Sequence, residues 1–363
     1  MRSDPVRLAL VVAGLLALNL GGRPTVPMLL LLIVLAILVA ASARWNVRIA
    51  TLIVLLVGGI AVRTVVVDRE GSDVLQVTAA AIDRVLAGAN PYGVGYVEST
   101  PDGSPFPYGP VALLWYLPLA DYPDVIELLA SFAVVVILAV QGRLVGLAAY
   151  ATMPILVATA VDGSNDTSLG LLLLAAFMVA QRWPGLGAVV LAAAVAFKLS
   201  ALAFVPAFLA WGGVRVAAAF AAASVVCWAP VIGRWGIDAF LRSAQMAEDT
   251  HRVATIWSLG SVVRDLTGTR VEILDQLRYV LGGIVAVVTL PLRRSLDGVI
   301  LAGAAVYLVT LFAGNWATFA YFAGLAPLVC WRLDDWLGLE SQPLVANLRF
   351  RTARREEAPG MIG

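Results

Sequence analysis

Lysine is nearly missing from this chain of 363 residues: Lys198 stands alone, and every other basic side chain except one histidine, His251, is arginine. Charge of either sign is scarce, at 13% of residues against roughly a quarter in soluble domains. The net charge of +1 argues against nucleic acid as a partner. The two cysteines, Cys227 and Cys330, both lie inside apolar runs and read as packing residues, not as a disulfide or a metal pair. No GxGxxG, no Walker loop, no HExxH and no Cys/His cluster occurs, so the familiar nucleotide and metal motifs are absent. No internal repeat or low-complexity linker divides the chain. The first apolar run has no small-residue cleavage site after it and is expected to stay as a span.

What is abundant is apolar sequence, 61% of residues with a mean hydropathy of +0.89. Runs of fifteen or more apolar residues recur along the chain, which excludes the alternating strands of a β-barrel. The expected fold is an all-α polytopic membrane protein in a single domain, 1–340, with a basic tail at 341–363. Spans are expected at about 6–20, 26–43, 47–67, 124–141, 144–161, 166–181, 185–199, 200–212, 216–233, 277–292, 296–312 and 316–332. Arg2, Arg7, Arg44 and Arg48 flank the first spans and put the N-terminus in the cytoplasm. The apolar run Tyr108–Leu119 is a dozen residues interrupted by Pro110 and Pro118, too short to cross easily. Reading it as an interfacial helix keeps Arg143, Arg182, Arg293-Arg294 and the arginine-rich tail on the cytoplasmic side. About twelve crossings follow, with both ends inside.

The longest polar interruption, residues 68–122, then faces outward with a second loop, 234–276. The first loop gathers Asp68, Glu70, Asp73, Asp83, Glu98 and Asp102 with tyrosines 92, 96, 108 and 116. Within it, 73–87 has Val74, Val77, Thr78, Ala81, Ile82 and Val85 at helical spacing, an amphipathic helix suited to a membrane surface. Ser72 reads as its N-cap, Asp73 as its first residue and Gly88 as its stop. Asp73 either offsets the helix dipole, worth roughly 0.3–1 kcal/mol, or carries chemistry into the cavity the spans enclose. Asp68 directly follows Val65-Val66-Val67 and suits a solvated span end, so it ranks second.

Lys198, in AVAFKLSALAF, sits at membrane depth, where a cation costs at least about 2.5 kcal/mol without a polar partner. It either snorkels to the interface or pairs with an anionic headgroup such as a phosphate. Asn165 and Asp166 open a span after the tight turn from Asp162, where Asp166 also reads as a helix cap. His251, with Arg252 beside it, sits in the second loop, where solvation is the default and phosphate contact the alternative.

The blocks SDVLQVTAAAIDRVLAGANPYG and FPYGPVALLWYLPL resemble the first outer loop of the polyprenol-dependent membrane glycosyltransferases, the GT-C superfamily. The resemblance is closest to the mannosyltransferase-like bacterial glycosyltransferase family 87. GSND, Gln181-Arg182, AVAFKLS and IWSLGSVVRDLTG are similar to later blocks, so the resemblance covers about residues 60–335. The chain departs from the family in having Tyr108-Gly109-Pro110 for Tyr-Pro-Pro and Gly163-Ser164-Asn165 for Gly-Gln-x-Asn.

The resemblance implies an inverting transferase of the bacterial plasma membrane that moves a sugar, with mannose the expected one, from a polyprenyl-phosphate donor to a lipid or glycan acceptor on the outer face. It further implies Asp73 as general base, with Asp68 the runner-up. Lys198, Arg252 and His251 would lie at the donor phosphate, and Asn90, Tyr92, Tyr108, Asn165 and Asp166 would shape the substrate site. No metal and no cofactor beyond the lipid-linked donor is expected. Two other classes remain open from sequence, a secondary transporter and a catalytically silent lipid-binding relative.

Overall fold

The computed structural model describes residues 48–65, 72–100, 102–160, 162–250 and 257–339, with Val34 and Ile37 besides. The expected spans at 6–20 and, apart from those two residues, 26–43 lie outside the described residues. So do Asp68, His251, Arg252 and the basic tail. What is described is nearly all helix, with one two-stranded antiparallel ribbon that pairs Gly95 with Pro105 and Tyr96 with Ser104.

Among the described residues three helices are long and apolar enough to cross a membrane: Pro123–Val140, Leu199–Trp235 and Ile273–Arg294. Shorter apolar helices occupy Ile49–Thr64, Pro110–Leu119, Asp166–Ala180, Pro184–Phe197 and Leu296–Phe312. Several boundaries differ from the sequence expectation for local reasons. The segment expected as one span at 144–161 is two pieces, Leu144–Thr152 and Pro154–Ala158. Pro154 lacks an N–H and drives Met153 into extended backbone (ψ 120°), which ends the first helix. The helix expected from 316 begins only at Tyr321 and runs to Trp336. Between the expected spans 200–212 and 216–233 the helical backbone breaks at Gly213, which adopts φ +72°. The run after Tyr108 forms a seven-residue helix, Pro110–Tyr116, and a three-residue 3₁₀ turn, Leu117–Leu119.

The chain divides into two compact units. The smaller comprises residues 1–67, 130–158 and 329–363. Its interior holds a fully buried arginine, Arg63, whose guanidinium donates to Ser131 Oγ (2.6 Å) and to the carbonyls of Gly59 (3.1 Å), Tyr150 (2.6 Å) and Ala151 (3.2 Å). Four acceptors and the face of the Tyr150 ring make that burial tolerable. Asp334, also buried, accepts from the N–H groups of Val145 (3.2 Å) and Gly146 (2.9 Å), the orphan donors that open the Leu144–Thr152 helix. The larger unit, residues 68–129 and 159–328, carries every cavity residue discussed below.

Candidate functional site

Backbone pairing fixes the start of the first loop. Ser72 N–H donates to the Asp162 carbonyl (2.5 Å) and Leu75 N–H to the Gly163 carbonyl (3.0 Å), laying the loop against the turn at 162–165. Gly163 sits at φ +81°, and a side chain there would run into the Ser72 carbonyl. The helix runs Val74–Leu86, one residue later than expected, and buries Leu75, Val77, Thr78, Ala81 and Ile82. Asp73 therefore precedes the helix instead of opening it, and it does not cap it. Its Oδ2 accepts from the Thr100 N–H at 2.5 Å, while Ser72 Oγ takes the Val74 N–H at 3.3 Å. The carboxylate is thus tied to a loop amide and turned to the wall of a cavity.

Tyr108-Gly109-Pro110 is the second fixed point. Gly109 has ordinary extended backbone (φ −77°, ψ 175°), so conformational freedom is not what it supplies. It supplies space and a donor: its N–H reaches the Phe197 carbonyl at 3.2 Å, and a Cβ would collide with the Ala196 carbonyl. The contact seats Tyr108 over the end of the Pro184–Phe197 helix. Burial, then the neighbouring charges of Asp166 and Asp73, pushes the Tyr108 phenol well above its usual range. One ring thus feels both carboxylates.

Lys198 follows that helix in extended backbone (φ −146°). Its Nζ donates to Asp166 Oδ1 (2.7 Å) and Asn165 Oδ1 (2.9 Å) and lies 5.6 Å from the Tyr108 ring centre and 5.5 Å from that of Tyr321. Its side chain is 13% exposed and that of Asp166 3%. The ammonium is therefore held by a protein carboxylate, with one further N–H to offer a ligand.

The cavity these residues share encloses about 1050 Å³. Its polar part is lined by Asp73, Asp162, Asp166, Lys198, Glu248 and Arg278. Burial raises the Asp162 carboxyl to about 6, although it accepts the Ser164 N–H at 2.9 Å. Arg278, buried, donates through Nη2 to both Glu248 oxygens (2.6 and 2.7 Å) and to the Tyr279 hydroxyl (2.9 Å). Its buried Nε has no partner among the described residues. Asp275 holds Arg270 (2.9 Å) and the backbone and side-chain amide of Asn315 (both 2.9 Å).

Away from these groups the lining becomes mostly apolar, with isolated hydroxyls such as Ser200 and Thr310. Asp275, Arg278, Tyr279, Gly282, Gly283 and Ala286 recur at helical spacing along one stripe of Ile273–Thr289, which passes from charged to nearly side-chain-free. Leu199, Leu202 and Pro206, all exposed, and Val306, Thr310 and Leu311 form the other walls of that trough.

The structure thus brings Asp73, Tyr108, Asp166 and Lys198 to one cavity, with Asn165 fully buried behind the lysine. Asn90 and Tyr92 do not line it. Asn90 Oδ1 accepts the Tyr92 N–H (2.9 Å) to close a turn, and the Tyr92 ring is buried against Phe106, Trp235 and Phe240. Sequence reasoning passed over Arg278, Glu248 and Asp275 as site residues. Arg278 carried a signal, a basic residue four positions before a Gly-Gly pair at the head of an apolar run. Comparison with protein-family models, with curated proteins and with solved structures finds no match to this chain.

Proposed function

We propose that the chain is a membrane glycosyltransferase that takes its sugar from a polyprenyl-phosphate donor. The observation that carries this reading is the lengthwise polarity of the cavity. It is charged and carboxylate-rich at one end and a trough of small and apolar residues at the other. That trough runs between two of the helices long and apolar enough to cross a membrane. A ligand with a polar head and an apolar chain fits such a space, and a lipid-linked sugar has that form.

In this reading the acceptor hydroxyl loses its proton to the Asp73 carboxylate as its oxygen bonds to the anomeric carbon from the face opposite the donor phosphate. The bond from that carbon to the phosphate oxygen breaks, its electron pair leaves with the polyprenyl phosphate, and the configuration inverts. Lys198 and Arg278 flank the leaving phosphate. Each is already matched by a carboxylate, Asp166 and Glu248, which favours the single charge of a phosphate-linked sugar over a diphosphate. Twelve crossings, both ends in the cytoplasm and an outward-facing cavity in a bacterial plasma membrane belong to the same reading.

The test is incubation of purified protein in lipid nanodiscs with radiolabelled polyprenyl-phosphate mannose and a crude lipid extract. Labelled glycolipid supports the reading, and no transfer from any polyprenyl-phosphate sugar contradicts it. Uptake of solute into proteoliposomes would favour a transporter instead. A lone Lys198→Met change would strand buried Asp166, a loss of roughly 3–5 kcal/mol for a buried pair. The cleaner variant is Lys198→Met with Asp166→Asn, expected to raise the donor KM at least about 10-fold.

A further inference from the structure

The helix that presents Asp166 to Lys198 begins without a cap of its own: Asn165 occupies the capping position but makes no capping hydrogen bond. The first-turn N–H groups of a helix need an acceptor, and burial makes an orphan expensive. Here the acceptor arrives from another helix. Glu127, 1% exposed within Pro123–Val140, accepts the Ser168 N–H at 3.0 Å through Oε2. Its Oε1 accepts from the Ser168 hydroxyl and from the hydroxyl of fully buried Tyr116. Trp115 Nε1 donates to Ser168 Oγ at 2.9 Å, so the Pro110–Tyr116 helix grips the same point twice. Glu127 does not line the cavity, and the mechanism above makes no use of it. A carboxyl this buried is costly unless hydrogen-bonded, and Glu127 has three donors.

We infer that Glu127 is a positioning residue: by capping the Asp166–Ala180 helix from outside, it holds the Asn165–Asp166 pair that fixes the Lys198 ammonium in the cavity. The residues follow in series. Tyr116 and Ser168 fix Glu127, Glu127 fixes the first turn of the helix, and that turn holds Lys198 through Asp166, two residues before Ser168. Removing the carboxyl orphans the Ser168 N–H and the Tyr116 hydroxyl together, and the first turn loses its fixed register. The geometric claim stands apart from the transferase reading; its consequence for donor affinity rests on that reading.

The test uses the uniqueness of Lys198. It is the only lysine in the chain, so acylation by an amine-selective reagent in nanodiscs, mapped by peptide mass spectrometry, reports on this one side chain. Held by Asp166 and 13% exposed, it should react slowly in the wild type. Glu127→Leu should raise the rate about 10-fold or more, and Tyr116→Phe, which removes one anchor and keeps the ring, about 3-fold. Glu127→Gln keeps an oxygen for the Ser168 N–H and should stay within about 3-fold of wild type.

An unchanged rate in both Glu127→Leu and Tyr116→Phe would overturn the inference. So would Glu127→Gln behaving like Glu127→Leu, because charge and not capping would then be the cause. If Glu127→Leu fails to fold, the Tyr116→Phe and Glu127→Gln pair still decides. The readout needs no substrate, so failure of wild-type sugar transfer would fall on the functional reading alone. Where transfer is observed, Glu127→Leu should raise the donor KM with a smaller effect on kcat, and Glu127→Gln should restore it.

Discussion

Gly109 shows how much one position can decide. The pattern the chain resembles has proline there, and the glycine is a departure from it. In the structure a proline at 109 would lose the N–H that reaches Phe197 and press its ring into the Ala196 carbonyl. Gly109→Pro should therefore destabilise by about 2–4 kcal/mol, read as a fall in unfolding temperature in detergent. Stability equal to wild type would show that the contact has slack.

Asp162 gives a pH-dependent case. Its folded value of about 6 lies above the usual carboxylate value of about 4, so the folded state binds the proton more tightly than the unfolded chain. Stability therefore falls as pH rises from about 4 to about 6, and the full cost, on the order of 3 kcal/mol, is present above that window. Asp162→Asn keeps an acceptor for the Ser164 N–H and should raise the unfolding temperature by about 2–6 °C at pH 7.5 and not at pH 4. An equal shift at both pH values would mean that ionisation is not the cause. Residue-level roles of this kind were legible only in part. Lys198 and Asp73 stood out by rarity and position, while Glu127 and Arg278 needed their partners, which lie 41 and 30 residues away in sequence.

At the scale of elements, hydropathy located most helices because apolar runs and helix lengths coincide. It failed where a single residue interrupts the backbone, as at Pro154, or where an apolar stretch is not helical, as before Tyr321. It also could not foresee that the first loop is tied to the turn at 162–165 by main-chain hydrogen bonds, since these leave no pattern in side-chain types. The ten residues of Pro110–Leu119 form a helix and a 3₁₀ turn, about 15 Å at helical rise and half the thickness of the hydrocarbon core. The segment should return to the side it came from. With Cys227 and Cys330 replaced, a membrane-impermeant thiol reagent should label Gly103→Cys and Asp121→Cys from the same side. Labelling of Asp121→Cys only after permeabilisation would make this helix a crossing.

For the whole molecule, the two units divide the polar residues unequally. In the smaller unit Arg63 and Asp334 have their bonding capacity taken up by backbone and side-chain groups of that unit, as structural residues do. In the larger unit Asp73, Lys198 and Arg278 are held by protein partners yet stand on a cavity wall, where a ligand can reach them. In the proposed mechanism Asp73 supplies the base. Asp73→Asn keeps side-chain volume and an oxygen for the Thr100 N–H but cannot take a proton. Steady-state sugar transfer by purified Asp73→Asn, with Asp68→Asn as comparison, measures the claim most directly. The account predicts a kcat lower by about 100- to 10,000-fold for Asp73→Asn at nearly unchanged donor KM, and Asp68→Asn within about 3-fold of wild type. Full activity in Asp73→Asn would contradict it.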